Sequence, residues 1–177
     1  MNKRPQLFIF DLDGVLTDTA YYHYLAWKKL ADDLGYHFDR EINERLKGVS
    51  RIRSFEIILE VNEAQDKYTE QEKEVLANKK NDMYVELINE VTQEDILPGI
   101  EKFLRQAKSK GMEMAVASAS KNAFAVLERL GIKGEFDYIA DARLIKHAKP
   151  HPEVFLDCAK KLDVEPKYCI GFEDAEA

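Results

Sequence analysis

The segment LFIFDLDGV, residues 7–15, passes directly from a run of apolar side chains into a pair of carboxylates. A short, continuous apolar run predicts a strand that is buried on both faces, as in a parallel sheet. We expect this strand to end at Asp11, where Gly14 permits the sharp turn by which the chain leaves the sheet. Asp11 and Asp13 can then face one ligand beyond the end of the strand.

The sequence on either side of this segment predicts an α/β protein in two parts. Residues 20–90 carry apolar positions at helical spacing among abundant Glu and Lys, and Pro98-Gly99 marks the end of this block. Beyond it, helices predicted at 100–109, 123–130 and 153–162 alternate with strands predicted at 112–117, 138–139 and 168–171. We therefore predict a doubly wound, Rossmann-like parallel-sheet core, residues 1–19 and 92–177, with an inserted α-helical cap domain, residues 20–91.

Three of the predicted strands lead directly into polar residues. Asp11, Ser118 and the pair Glu173-Asp174 each come after an apolar run. In a doubly wound sheet, ligands bind at the carboxyl ends of the strands, so these groups are expected on one rim. An acidic pair such as Asp11 and Asp13 is by itself more typical of a turn. It is also a candidate catalytic pair, because one carboxylate could attack phosphorus while the other moves a proton.

The composition argues against several classes of function. With 45% hydrophobic residues the chain can bury a core, and its net charge of -7 argues against a nucleic-acid or anionic-membrane surface. The apolar run that ends at Phe10 is too short for a signal sequence or a membrane span. Cys158 and Cys169 are far apart and suggest neither a disulfide framework nor a zinc site. We expect a monomeric protein in the reducing cytoplasm.

Four short motifs occur in a fixed order along the chain. They are Asp11-Leu12-Asp13-Gly14-Val15-Leu16-Thr17-Asp18-Thr19, Ser118, Lys149-Pro150 and Gly171-Phe172-Glu173-Asp174. In this order they resemble all four motifs of the haloacid dehalogenase superfamily, and the resemblance covers essentially the whole chain. Ordered co-occurrence is far more specific than any one motif.

The resemblance implies a role for each acidic residue. Asp11 would be the nucleophile that becomes an aspartyl-phosphate, and Asp13 would be the general acid and base. Mg2+ would be held by Asp11 and by the backbone carbonyl of Asp13. Glu173 and Asp174 would complete this site, since the ion prefers carboxylate and carbonyl oxygens. Without the resemblance, Glu173 and Asp174 could equally cap the N-terminus of a helix.

The same resemblance implies that Ser118 and Lys149 hold the transferring phosphoryl group. A hydroxyl and an ammonium would position that group and offset its negative charge. Each residue has an ordinary alternative, because Ser118 alone could be a loop serine and a Lys beside a Pro often belongs to a solvated turn. The segment 141–148, just before Lys149, is more basic than we expect at this place.

Within the predicted cap, the segments 23–27, 46–51 and 79–84, the last of which contains Lys80, suggest a site for a second phosphate. His23 and Trp27 are four residues apart on one helix face, although Trp27 alone is more typical of core packing. The segment 46–51 ends in Arg51, whose planar guanidinium suits a phosphate, although a helix C-cap at Gly48 is the alternative. The resemblance implies that the substrate contacts come from Thr19, His23, Trp27, Lys47, Gly48, Val49, Ser50, Arg51 and Lys80, and from Ser118, Ala119, Ser120, Lys121, Asn122 and Lys149.

A site for each of two phosphates indicates a mutase rather than a phosphatase. The resemblance implies an isomerase that interconverts β-D-glucose 1-phosphate and glucose 6-phosphate through the aspartyl-phosphate and glucose 1,6-bisphosphate, with the cap excluding water. A phosphatase that acts on a small sugar phosphate needs only one phosphate site. Because the sequence ends at Ala177, before further core elements of the family, the core would be truncated and its sheet would lack an edge. A truncated, non-catalytic member that binds sugar phosphates is therefore the third alternative.

Overall fold

The computed structural model describes residues 4–46 and 49–175, in which four strands form a parallel sheet. The strands are β1 (Leu7–Phe10), β2 (Glu113–Val116), β3 (Tyr138–Ile139) and β4 (Cys169–Phe172). Their order is β3-β2-β1-β4, and every neighbouring pair is parallel. The most apolar strand, β1, thus lies between two others, where both of its edges are hydrogen-bonded.

Three helices alternate with these strands, and the first and third of them pack on opposite faces of β1. They are α5 (Ile100–Ser109), α6 (Ala123–Arg129) and α7 (Glu153–Lys161). On one face, Leu7 and Ile9 pack in a hydrophobic cluster with α7. On the other face, the rings of Phe8 and Phe10 lie 5.5 and 5.9 Å from the ring of Phe103 on α5. Because side chains alternate along a strand, an unbroken apolar run supplies both contacts.

The described part of the chain from Ala20 to Leu87 contains four α-helices. They are α1 (Ala20–Leu34), α2 (Arg40–Glu44), α3 (Arg51–Val61) and α4 (Glu70–Leu87). Local signals set the ends of these helices. Gly35 ends α1 with a positive φ of 74. Ser50 accepts the N–H of Arg53 at the start of α3, and Thr69 forms a capping box with Glu72 at the start of α4. Their apolar faces meet in one buried cluster, which includes Trp27, Leu30, Phe38, Phe55, Ile58 and Leu59.

The chain divides into two compact units. The first unit is Met1–Asp18 with Val91–Ala177, and the second unit is Thr19–Glu90. The first unit contains the sheet with α5, α6 and α7, and the second contains α1 to α4. Both boundaries lie one residue before those that the sequence predicts.

The predicted fold class is confirmed, with small shifts at the ends of elements. β4 begins at Cys169 rather than at Tyr168, because Pro166–Tyr168 form a 3-10 turn with proline at its start. Ser50 caps the start of α3 and Arg51 is its first residue. Gly48, the proposed helix C-cap, lies outside the described residues, and so does any helix that Glu173 and Asp174 would cap after Ala175, so both alternatives stay predictions.

No helix in residues 4–46 and 49–175 combines the length and the apolar character needed to cross a bilayer.

Candidate active site

The carboxyl ends of β1, β2 and β4 carry the polar residues that the sequence places there. Asp11 directly follows β1, Glu173 directly follows β4, and Ser118 comes two residues after β2. Asp11 and Ser118 are only 9% and 2% exposed. Because parallel strands end at the same edge of a sheet, these groups share one rim, where Asp11 and Ser118 are shielded from water and Glu173 is exposed.

Lys149 links two of the acidic residues at this rim. Its ammonium lies 2.9 Å from Oδ1 of Asp11 and 2.6 Å from Oε2 of Glu173, and its side chain is 8% exposed. Burial raises the pKa of Asp11 to about 7, while the charge and hydrogen bond of Lys149 act in the opposite direction. Lys149 therefore favours the ionised carboxylate of Asp11 and is not part of a solvated turn.

Three carboxylates at the rim form a candidate metal centre. Asp11, Glu173 and Asp174 each offer a ligand oxygen, and these atoms lie within 4.8 Å of one another. Gly14 makes room for this arrangement: it has φ +80, and a Cβ there would lie 2.2 Å from Oδ2 of Asp174. A set of hard carboxylate oxygens fits Mg2+ better than a transition metal.

The turn after β1 holds Asp13 beside this cluster. Asp13 pairs with Thr17 in a backbone bridge, and the N–H of Gly14 donates to the carbonyl of Thr17 at 2.8 Å. Thr17 in turn donates its hydroxyl to the carbonyl of Asp95 at 2.8 Å. The turn is thereby fixed, and Asp13 is half-buried two residues from Asp11.

The loop from Ser118 to Asn122 is organised by its own hydroxyl groups. Ser118 Oγ accepts the N–H of Ser120 at 3.0 Å, and Ser120 Oγ accepts the N–H of Asn122 at 3.2 Å. Ala119 and Lys121 are exposed on the outside of this loop. The Ser118 hydroxyl hydrogen stays available to donate, since the hydrogen bond to Ser120 uses only a lone pair of the oxygen.

In the second unit, Lys80 is a buried cation on α4. It is 2% exposed, and its ammonium lies 4.8 Å from the ring centre of Trp27 and 5.1 Å from that of Tyr84. Its Nζ is 2.7 Å from Nδ1 of His23. Burial lowers the pKa of His23, and the charges of Lys80 and Arg51 lower it further, so His23 is neutral and accepts this hydrogen bond.

Arg51 is a second cation in this unit, and neutral groups orient it. Its Nη1 donates to Oδ1 of Asn78 at 3.1 Å, and its Nη2 donates to Oδ1 of Asn81 at 2.7 Å. Burial lowers the pKa of Arg51, while the charge of Asp82 raises it. Amide oxygens fix the plane of the guanidinium without cancelling its charge, which suits recognition of an anion.

The remaining candidates in the second unit have structural contacts. Thr19 Oγ1 lies 3.1 Å from Oη of Tyr84, and both residues are buried. Trp27 is 3% exposed and stacks on Phe55, so core packing accounts for it. Ser50 caps α3, and Val49 packs against the same hydrophobic cluster as Trp27. Lys47 and Gly48 lie outside the described residues.

The sequence did not identify Asn78 and Asn81 as the partners of Arg51. Their spacing of three residues could place them on one face of α4. Nothing in the sequence indicates that this face meets the start of α3, because that contact is long-range. The contact between Gly14 and Asp174 was missed for the same reason.

The fold and the rim define the class of haloacid dehalogenase-like hydrolases. The model of that family matches residues 5–177, and the chain belongs to this family. The resemblance predicted from the motifs is thus confirmed. The chain is 49% identical, over 169 residues, to the beta-phosphoglucomutase of Bacillus subtilis (strain 168), covering 96% of this chain and 75% of that protein. The crystal structure of beta-phosphoglucomutase from Clostridium difficile is 54% identical, has a TM-score of 0.93, and covers 97% of this chain and 77% of that chain.

Phosphatases of the same family are more distant relatives. The phosphorylated carbohydrates phosphatase of Thermotoga maritima is 30% identical over 171 residues, covering 96% of this chain and 76% of that protein. The higher identity to beta-phosphoglucomutase therefore favours the isomerase over the phosphatase alternative.

Proposed function

We propose that this chain is a Mg2+-dependent isomerase that interconverts β-D-glucose 1-phosphate and glucose 6-phosphate through glucose 1,6-bisphosphate. The observation that carries the proposal is the buried Asp11, in contact with Lys149 and clustered with Glu173 and Asp174 at the carboxyl ends of the strands. The identity of 49% to beta-phosphoglucomutase supports the choice of reaction. The proposal includes a core domain of residues 1–19 and 92–177, a cap domain of residues 20–91, a monomeric state and a cytoplasmic location.

Asp11 acts as the nucleophile in this proposal, and Asp13 moves the proton. An oxygen of the Asp11 carboxylate forms a bond to phosphorus as the bond between phosphorus and the sugar oxygen breaks. Asp13 donates a proton to the leaving sugar oxygen and, in the return step, takes one from the attacking hydroxyl. Ser118 and Lys149 donate hydrogen bonds to the phosphoryl oxygens and offset their charge.

The carboxylates of Asp11, Glu173 and Asp174, with the backbone carbonyl of Asp13, would hold Mg2+. When bound, the ion would neutralise part of the negative charge on the phosphoryl group and the carboxylates around it. Lys149 already contacts two of these carboxylates, which lowers the repulsion among them. The oxygen-only donor set is the reason for choosing Mg2+.

The cations of the second unit support a mutase over a phosphatase. A bisphosphate intermediate carries a phosphate that does not react in a given step, and Arg51, Lys80 and the segment 47–50 would bind it. Arg51 is preoriented by Asn78 and Asn81, so little conformational freedom is lost when an anion binds. Thr19 and His23, with Ala119, Ser120, Lys121 and Asn122 of the first unit, complete the proposed substrate contacts.

A coupled assay tests the proposed reaction. We expect the purified chain, supplied with Mg2+ and glucose 1,6-bisphosphate, to convert β-D-glucose 1-phosphate into glucose 6-phosphate, which glucose 6-phosphate dehydrogenase detects. Release of inorganic phosphate should be much slower than isomerisation. Excess chelator should stop the reaction, and Mg2+ should restore it. Phosphate release that matches sugar-phosphate consumption would instead identify a phosphatase.

Gly14→Ala should weaken Mg2+ binding by about tenfold, in the range typical for disturbed metal ligands. The new Cβ would lie 2.2 Å from Oδ2 of Asp174 and displace that carboxylate. A positive φ for a non-glycine residue should also lower the free energy of unfolding by about 1 kcal/mol. The Mg2+ concentration for half-maximal activity and the thermal midpoint measure the two effects.

Gly111→Ala is the matched control for this substitution. Gly111 also has a positive φ, of +70, but a Cβ there meets nothing within 4 Å. It should lower stability to a similar extent and leave the Mg2+ dependence unchanged. An equal rise in the Mg2+ requirement of both variants would contradict the role given to Gly14.

A further inference from the structure

The loop before α7 gathers two histidines and a glutamate that the proposed reaction does not use. His147, His151 and Glu153 each offer a ligand atom, and these atoms lie within 4.8 Å of one another. Nδ1 of His147 is 2.5 Å from Oε2 of Glu153, and Nδ1 of His151 is 3.9 Å from the same oxygen. The centres of the two imidazole rings are 4.6 Å apart.

The backbone holds Glu153 in place at the centre of this cluster. Its Oε1 accepts the N–H of Lys146 at 2.8 Å, and its Oε2 accepts the N–H of His147 at 2.9 Å. These contacts fold the loop back onto the first residue of α7. The side chains of His147 and His151 are 63% and 52% exposed, so an ion can reach the cluster from solvent. Nδ1 of His151 accepts the N–H of Glu153 at 3.3 Å, a contact that the ion would replace.

The donor set differs in kind from that at Asp11. Two imidazole nitrogens and one carboxylate are typical ligands of Zn2+ and of other borderline divalent ions, whereas Mg2+ prefers oxygen donors. Bonds of about 2.0–2.2 Å place the ligands of a tetrahedral ion about 3.3 Å apart. The distances from the two histidine Nδ1 atoms to Oε2 of Glu153, 2.5 and 3.9 Å, lie on either side of that value. Rotation of the side chains can therefore bring the ligand atoms to the spacing that the ion requires.

We propose that His147, His151 and Glu153 form a surface site for a transition-metal ion of the Zn2+ class, with water as the remaining ligand. On binding, the ion takes the place of the hydrogen bond between His147 and Glu153: a neutral His147 then carries its proton on Nε2, and a protonated His147 loses one proton to solvent. The ion then links residues 147 and 151 to the start of α7. Lys149 lies between these ligands and contacts Asp11, so the ion also restrains the segment that carries this ammonium.

Calorimetric titration of the full chain with ZnCl2 tests the site. Saturating Mg2+ is present throughout, so that the carboxylates at Asp11 are occupied by the ion that they prefer. We expect wild type to bind an equivalent of Zn2+ that excess Mg2+ does not displace. The double variant His147→Gln with His151→Gln should lose more than the roughly 10- to 100-fold in affinity that outer-shell substitutions cost.

His37→Gln is the matched control, because His37 is also an exposed histidine next to a carboxylate, that of Asp39, at 3.0 Å. It should bind Zn2+ as wild type does. Titration with Co2+ gives a second measurement, since the visible absorption of this ion increases when histidine enters its coordination sphere at low coordination number. Retention of Zn2+ affinity in the double variant, or no Zn2+ binding by wild type in excess Mg2+, would overturn the proposal. Neither result affects the proposed isomerase, which does not depend on this cluster.

Discussion

Asp11→Asn is expected to abolish isomerisation, with a loss on the order of 10⁴-fold or more, as when other covalent nucleophiles are removed. An amide is a poor nucleophile and a weaker ligand of Mg2+ than a carboxylate. The substitution also removes one of the two carboxylates that contact the Lys149 ammonium, which lies 2.9 Å from Oδ1 of Asp11. Two measurements check this: the coupled assay, and intact-protein mass spectrometry for the phosphoenzyme after incubation with glucose 1,6-bisphosphate.

Asp32→Asn is the control, because it makes the same chemical change at an exposed carboxylate. Asp32 pairs with Lys28 on the surface of α1. A single exposed pair contributes about 1 kcal/mol or less to stability, so activity and phosphoenzyme formation should be retained. Measurable mutase activity or a phosphoenzyme in the Asp11→Asn variant would exclude Asp11 as the nucleophile.

Arg51→Ala should reduce isomerisation by about 100-fold while leaving the hydrolysis of acetyl phosphate nearly unchanged. The loss corresponds to about 3 kcal/mol, which is reasonable for charge-assisted hydrogen bonds to a phosphate in a partly buried site. Acetyl phosphate carries a single phosphate, and its hydrolysis requires Asp11, Asp13, Ser118, Lys149 and the Mg2+ ligands, all of which remain in the variant. The two rates, measured side by side in wild type and variant, give the comparison.

Arg53→Ala is the matched control on the same helix. Arg53 is an exposed arginine of α3 whose guanidinium pairs with Glu60 at 2.6 Å and with Glu56 at 3.3 Å. It should change neither rate. Equal losses in both reactions for Arg51→Ala would show that Arg51 supports folding or the core site, and unchanged rates would show that it binds no substrate phosphate.

The sequence predicted the sheet and its rim because the signals are local. An unbroken apolar run identifies β1, and the polar residues that follow each strand identify the edge at which ligands bind. The contact of Lys149 with Asp11 could be expected only through the ordered motifs. Spacing alone does not bring together residues that are more than a hundred positions apart.

Other features depend on packing that no local pattern specifies. The sequence indicated that residues 20–90 are helical, but not which face of α4 meets Arg51. It also left Trp27 open between a ligand contact and a core residue, and its burial against Phe55 supports the core. Likewise, Glu153 brings His147 and His151 together through backbone hydrogen bonds that depend on how the loop folds back onto α7.

One helix, α4, carries much of what surrounds the proposed phosphate site of the second unit. Lys80, the two asparagines that orient Arg51, and the tyrosine that meets Thr19 and His23 all lie between residues 78 and 84. For protein engineering, this makes α4 a poor place to begin, since a substitution that rotates or shifts it would disturb every one of these side chains together. Arg51 lies at the start of a separate helix, α3. The start of α3 is therefore the better place to vary the preference of the proposed phosphate site for one anion over another.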